Sequence, residues 1–198
     1  MHPFFAYLQI GFQHIANLEA YDHLVFVMAL SAIYQPKDWR KVVILITAFT
    51  FGHSLTLALA ALHLLDFPAN IIEFCIPLTI LITSLSNLQQ GERAISPQMR
   101  YGNYALTLFF GLIHGLGFSN YLKMLLGAEE ELLLPLFAFN VGLEMGQLLI
   151  IAVCFLLMWA YLRFFPRARF SFWKRSISIL AAAVALYLIL QQVISINE

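Results

Sequence analysis

Hydrophobic positions fall into six long runs, at about residues 4–34, 42–65, 71–88, 104–126, 132–165 and 173–196, separated by short polar connections. A helix needs about 20 apolar residues to cross a bilayer core of about 30 Å. The pattern therefore predicts an all-α integral membrane protein with about six transmembrane helices. The first run is too long for one straight crossing, since 31 residues of helix rise about 46 Å. Gln13, His14, Asn17, Glu19, Asp22 and His23 also interrupt it. A break is expected near residues 17–21, giving an outer half-helix over 4–16 and a cytoplasmic half over 22–34. Broken helices at membrane depth are tolerated where they line a cavity.

The connections alternate in charge. Lys37, Arg40 and Lys41 mark the first, Arg93 and Arg100 the third, and Arg163, Arg167, Arg169, Lys174 and Arg175 the fifth. The second carries only Asp66, and the fourth carries Glu129, Glu130 and Glu131. The positive-inside rule puts the basic connections in the cytoplasm and both termini outside.

Composition agrees with a lipid environment. The chain is 61% hydrophobic and 11% charged, with a mean hydropathy of +0.80, where soluble domains average about a quarter charged residues. Six spans use up most of the 198 residues, so a single transmembrane domain over 1–198 is expected. A formal net charge of zero, with basic residues confined to the ends of apolar runs, offers no surface for nucleic acid. Cys75 and Cys154 lie inside apolar runs without C-x-x-C spacing and read as packing residues. The first eight residues lack a basic segment and a small-residue cleavage site, so no signal peptide is expected. The 18 phenylalanines read as lipid-facing packing.

Intramembrane polar residues carry the functional signal. A carboxylate at the centre of a membrane helix costs about 2.5 to 3.5 kcal/mol on the gentlest scale, yet Asp22, Glu73 and Glu144 all fall within predicted spans. His23, His53 and His114 each lie about 12 to 14 residues from the cytoplasmic end of their run, about 18 to 21 Å of rise. Glu144, about 12 residues in from the outside, comes within about a turn of that level. His14 would reach it from the outer half-helix. Helical spacing aligns Asn140, Glu144 and Gln147, as well as Thr107, Gly111 and His114. Thr50, His53 and Ser54 cluster on the second run, and Glu73, Pro77, Ile80, Ser84 and Asn87 descend the third.

Imidazole with carboxylate suits a divalent transition ion such as zinc, copper, nickel or iron. Each residue also has a plainer reading. A lone intramembrane histidine commonly bonds a neighbouring helix, and it is the convergence of three at one depth that favours a site. His2 and His63 read as interfacial, and Glu73 as either an entrance ligand or a snorkelling carboxylate. Gln147 and Asn87 read as interhelical partners, with Ser54 and Asn140 beside the site. Asp22 and His23 are adjacent and cannot share a helical face, so one ligates while the other supports it or caps the half-helix.

The segments Gly11-Phe12-Gln13-His14-Ile15, Asp22-His23-Leu24-Val25-Phe26, Thr50-Phe51-Gly52-His53-Ser54, Phe110-Gly111-Leu112-Ile113-His114-Gly115 and Phe139-Asn140-Val141-Gly142-Leu143-Glu144-Met145-Gly146-Gln147 resemble the HupE/UreJ family of membrane proteins. The resemblance covers nearly the whole chain. It implies residence in a bacterial cytoplasmic membrane, a link to hydrogenase or urease maturation systems, and movement of nickel or a related ion such as cobalt. It carries over His14, Asp22, His23, His53, His114 and Glu144 as metal ligands. Residues 15–21 depart from the family, being longer than usual and without the glycine commonly found there.

Two classes of function follow. In the leading one, a permease passes a divalent metal through a site at the bilayer midplane and catalyses no reaction. The alternative is an intramembrane, zinc-type hydrolase using Ser54, Asp22 or Glu144, or a metal-binding accessory protein. A permease requires polar paths from the site to both faces; an enzyme requires a lateral opening to lipid.

Overall fold

A computed structural model of the chain describes residues 2–17, 21–90, 97–126, 132–165, 167 and 169–197. Leu18, Glu19, Ala20, Arg93 and the acidic group Glu129, Glu130 and Glu131 lie outside the described residues. Those described form α1 (Pro3–Ala16), α2 (Tyr21–Ser31), α3 (Trp39–Ala61), α4 (Ala69–Gln89), α5 (Pro97–Leu126), α6 (Leu133–Phe164) and α7 (Phe170–Asn197), with a 3-10 turn at Pro36–Asp38. Helices α3 to α7 are the five long and apolar enough to cross a membrane. The protein is an all-helical, multi-pass membrane protein.

The first run is broken as its length and polar interruptions predict. Pro3 stands in the first turn of α1, where its missing N–H is not needed, and the Phe4 N–H donates to His2 Nδ1 at 3.3 Å. Asn17 turns extended and ends the helix, its N–H still bonded to Gln13 O at 2.9 Å. At about 21 Å and 16 Å, α1 and α2 are each too short to span the bilayer. They run in succession along α6 and in its direction. The Phe4 ring meets Phe137, Gly142 lies against Leu8 and Phe12, Gly146 against Ile15, and Ser31 lies beside Cys154. Together they make one interrupted crossing.

Lipid tails are as apolar as leucine, so helices in a bilayer associate through close backbone packing rather than the hydrophobic effect. Two pairs here use it. A Cβ on Gly11 would overlap the Phe139 carbonyl oxygen, and one on Gly142 the Leu8 carbonyl oxygen, so α1 lies directly on the α6 backbone. In the same way Gly52 meets the Leu108 carbonyl and Gly111 the Phe49 carbonyl, joining α3 to α5. Helix α4 packs on α2, α5 and α7, while α7 turns Ile179, Leu180, Leu186, Tyr187 and Leu190 outward.

Helix α5 begins at Pro97, about two turns before the apolar run at 104. Proline favours a first helical turn, and polar residues such as Arg100 and Asn103 continue a helix readily where water reaches it. The ends of α2, α4 and α6 and the starts of α3, α5 and α7 share one end of the bundle, called the basic end. There Lys41 pairs with Asp38 at 2.5 Å, and Lys174 Nζ donates to the Gln90 carbonyl, tying α7 to α4.

Gly142→Leu should abolish the α1–α6 contact and destabilise the detergent-solubilised protein by at least the ~1 to 3 kcal/mol typical of overpacking. Gly102→Ala, whose added Cβ meets nothing within 4 Å, should be neutral or slightly stabilising. Thermal unfolding followed by fluorescence-detected size exclusion separates the two; equal melting temperatures would contradict the packing.

Candidate metal centre

The interruption of the first crossing creates the site. His14 stands in the last turn of α1 and His23 in the first turn of α2. In one continuous helix they would be about 13 Å apart along the axis. Here their ring centroids are 4.7 Å apart. His53, from the middle of α3, lies 5.9 Å from His14, and His114 of α5 lies 5.1 Å from His23. One nitrogen each from His14, His23 and His53 come within 4.8 Å of one another. Nitrogens sharing a tetrahedral ion at about 2.1 Å stand about 3.4 Å apart, so about an ångström of closure would complete such a site.

Hydrogen bonding assigns the tautomers of two rings. Asp22 Oδ1 accepts both the His23 backbone N–H at 2.8 Å and the ring Nδ1 at 3.0 Å. A carboxylate only accepts, so Nδ1 carries the proton and His23 Nε2 keeps its lone pair. The single proton of the Thr79 hydroxyl goes to the Ile76 carbonyl at 2.7 Å. Thr79 Oγ1, 2.9 Å from His114 Nε2, then accepts from that nitrogen, and the lone pair of His114 sits on Nδ1. Among the described residues, His14 Nε2, His23 Nε2, both nitrogens of His53 and His114 Nδ1 are buried without a hydrogen-bond partner. An unsatisfied buried polar group costs about 1 to 3 kcal/mol, and here several of them lie on neighbouring rings.

Aromatic rings close the cluster off. Phe118 lies 4.0 Å from His14 and stacks on Phe139 at 5.0 Å; Phe139 also stacks on His53 at 6.2 Å. On the side of the basic end, Phe26 and Phe49 lie 4.9 and 5.1 Å from His114. The expectation that the phenylalanines are lipid-facing is thus corrected for Phe26, Phe49, Phe110 and Phe139, all buried. They surround His23, His53 and His114, which are buried, while His14 is half-buried, and this needs apolar bulk inside the bundle as well as outside.

The remaining candidates stand apart from the three converging imidazoles. Glu144 is half-buried and accepts from Thr47 Oγ1 at 2.7 Å. Gln147, buried, accepts from Thr50 Oγ1 at 2.9 Å. Both bonds join α6 to α3, and Thr50 is one turn from His53, so this seam fixes the face that α3 presents. Ser54 Oγ donates to the Thr50 carbonyl and Asn140 Nδ2 to the Leu136 carbonyl. Glu73 is exposed and accepts from Gln192 of α7 at 3.0 Å. His2 caps α1, and His63, exposed, holds a positive φ of 58° just beyond α3.

Thr79 escaped the sequence analysis, though a signal for it exists. Thr79, Thr83, Ser86 and Gln90 recur at i, i+4, i+7 and i+11, a second polar stripe on α4 beside the one through Asn87.

Fold and centre together define a class, the polytopic helical membrane proteins with a histidine cluster enclosed in the bundle. More specifically, the chain belongs to the HupE/UreJ family, described as HupE / UreJ protein, which matches it over residues 1–195. Among curated proteins and among solved structures nothing matches it.

If the His53 nitrogens are unsatisfied, removing them should stabilise the empty protein. His53→Leu is expected to raise the melting temperature in the presence of a chelator, by about 2 to 12 °C for about 1 to 3 kcal/mol. A fall of the size produced by truncating a core leucine would mean that protein groups already satisfy the imidazole.

Proposed function

We propose that this protein binds a divalent transition metal at the imidazole cluster and passes it across the membrane, nickel by family and cobalt, zinc or iron by the same chemistry. The observation that carries this reading is the convergence of one nitrogen each from His14, His23 and His53, on rings that each keep a buried nitrogen without a hydrogen-bond partner. Imidazole nitrogens are good ligands for these ions, and no thiolate is present to hold them irreversibly. Asp22 stands behind His23 as carboxylates stand behind metal-bound histidines, fixing the ring and raising its basicity. Three neutral ligands with one outer carboxylate leave a bound divalent ion with net positive charge, which favours release. The discontinuous first helix suits a transporter, since such helices commonly frame midplane sites.

The hydrolase reading has less support, because the groups it needs are engaged elsewhere. Glu144 accepts from Thr47, Ser54 donates to a backbone carbonyl, and Asp22 holds His23. We place the protein in a bacterial cytoplasmic membrane with its basic end inside and its termini outside. It would serve hydrogenase or urease maturation as a source of metal.

Protein reconstituted into liposomes around a metal-sensitive dye should take up Ni²⁺ saturably, with His53→Ala and His114→Ala at least tenfold slower. Asp22→Ala should weaken equilibrium binding by about 10- to 100-fold. No uptake of nickel, cobalt, zinc, iron or manganese, with wild type equal to the histidine variants, would overturn transport; tight binding without uptake would leave the accessory role.

A further inference from the structure

A cavity of about 30 Å³ lies at the basic end, between the end of α2, the start of α3, the end of α4 and the start of α5. Its polar lining includes Thr83, Ser86, Asn87, Gln90, Asn103 and Thr107. All offer neutral oxygen donors, hydroxyl or amide, and among the described residues no carboxylate or imidazole lines it. About 10 to 15 Å³ holds one water, so the space suits about two waters or a partly hydrated ion.

Two ladders connect this cavity to the imidazoles. On α4, Thr79 bonds His114, Thr83 Oγ1 donates to the Thr79 carbonyl at 2.8 Å, and the stripe continues through Ser86 to Gln90, about 16 Å further along the helix. On α5, Thr107 and Asn103 lie seven and eleven residues before His114 on the same face, about 10 and 16 Å along the axis. Between them one apolar layer intervenes. Phe110, one turn from both His114 and Thr107, lies 6.1 Å from Phe26, whose ring packs on His114 at 4.9 Å. A hydrophobic constriction of this kind gates by excluding water.

We propose that this cavity is a release vestibule for the divalent ion, an all-oxygen station that takes it from the imidazoles past Phe26 and Phe110 and rehydrates it at the basic end. The inference rests on the transport reading above and adds a route and a direction of ligand exchange. Nickel, cobalt and zinc prefer imidazole to neutral oxygen donors, so the vestibule holds the ion weakly and passes it to water. Asn87 Nδ2, bonded to the Ala29 carbonyl at 2.7 Å, keeps α2 against α4 and so holds one wall in place.

The near-isosteric pair Thr83→Val and Thr107→Val, made together, tests the station without touching the imidazoles. Calorimetric Ni²⁺ affinity of the purified double variant should stay within twofold of wild type, while Ni²⁺ uptake into liposomes falls at least tenfold. Independently, Thr107→Cys in a Cys75→Ala, Cys154→Ala background should react with a charged, water-soluble thiol reagent only from the basic end, and more slowly with Ni²⁺ present. If wild type takes up Ni²⁺ and the double variant matches it, the vestibule is overturned while transport stands. Equal loss of affinity and uptake in the folded double variant, or labelling of Thr107→Cys only from the opposite end, also overturns it. A wild type that carries no ion overturns both readings. Should the double variant fail to fold, the labelling of Thr107→Cys decides.

Discussion

The close approach of helix backbones, glycine against carbonyl, is the constraint on which the centre depends. Unpartnered imidazoles in an apolar enclosure would relieve their cost by moving apart, by finding backbone carbonyls, or by admitting water. The packing blocks these escapes. Gly111 lies against the His53 backbone nitrogen and Gly115 against its carbonyl oxygen, so α5 holds α3 at the level of the site, and His114 sits beside Gly115 on the same turn. Gly11 and Gly142 do the same for α1 on α6, three residues from His14. In a bilayer such contacts are the main force joining helices, and they leave little room to slide.

Within that frame the magnitudes favour a cation over an empty site. Partnerless nitrogens on several buried rings cost together several kcal/mol, and a ligated ion removes that cost. An ion held there as proposed would in turn tolerate the apolar enclosure because the nitrogens would replace part of its hydration shell. Asp22 contributes without entering the cluster, by fixing which nitrogen of His23 bears the lone pair. Thr79 makes the same choice for His114 with a neutral hydroxyl. Negative charge at the cluster is thereby kept low, which suits the release that the proposed transport requires.

Much of this was legible in the sequence, and the rest failed for identifiable reasons. Spans and the broken first helix follow from length and apolar content, because water is absent and few polar residues are tolerated. Counting residues from the membrane edges put His23, His53 and His114 at one depth, and in the structure His23 and His114 are adjacent with His53 beside His14. Depth says nothing about direction around the bundle. Glu144 turns toward Thr47 of α3, while α6 meets the imidazoles through Phe139. Thr79 and Thr83 were hidden because intramembrane hydroxyls so often bond their own helix backbone, as both do here. The enclosing phenylalanines were indistinguishable by composition from those facing lipid.

The two glycine-locked pairs divide the centre between them. His14 rides on the α1–α6 pair, and His53 and His114 ride on the α3–α5 pair; α2 brings His23 between. What joins the pairs across their seam is less extensive, two polar bonds, Thr47 to Glu144 and Thr50 to Gln147, beside the contacts of Phe139 with Phe118 and His53. Hydrogen bonds of this kind between transmembrane helices are worth about 0.6 kcal/mol on average, far less than the packing within each pair. The distance between His14 and His53 nitrogens is therefore set by an interface less closely packed than either pair. Aromatic layers close the cluster on both sides of that seam, Phe118 with Phe139 on one and Phe26 with Phe110 on the other. Each layer draws one or more of its rings from a different pair or from α2, so a displacement of one pair against the other alters ligand spacing and closure together.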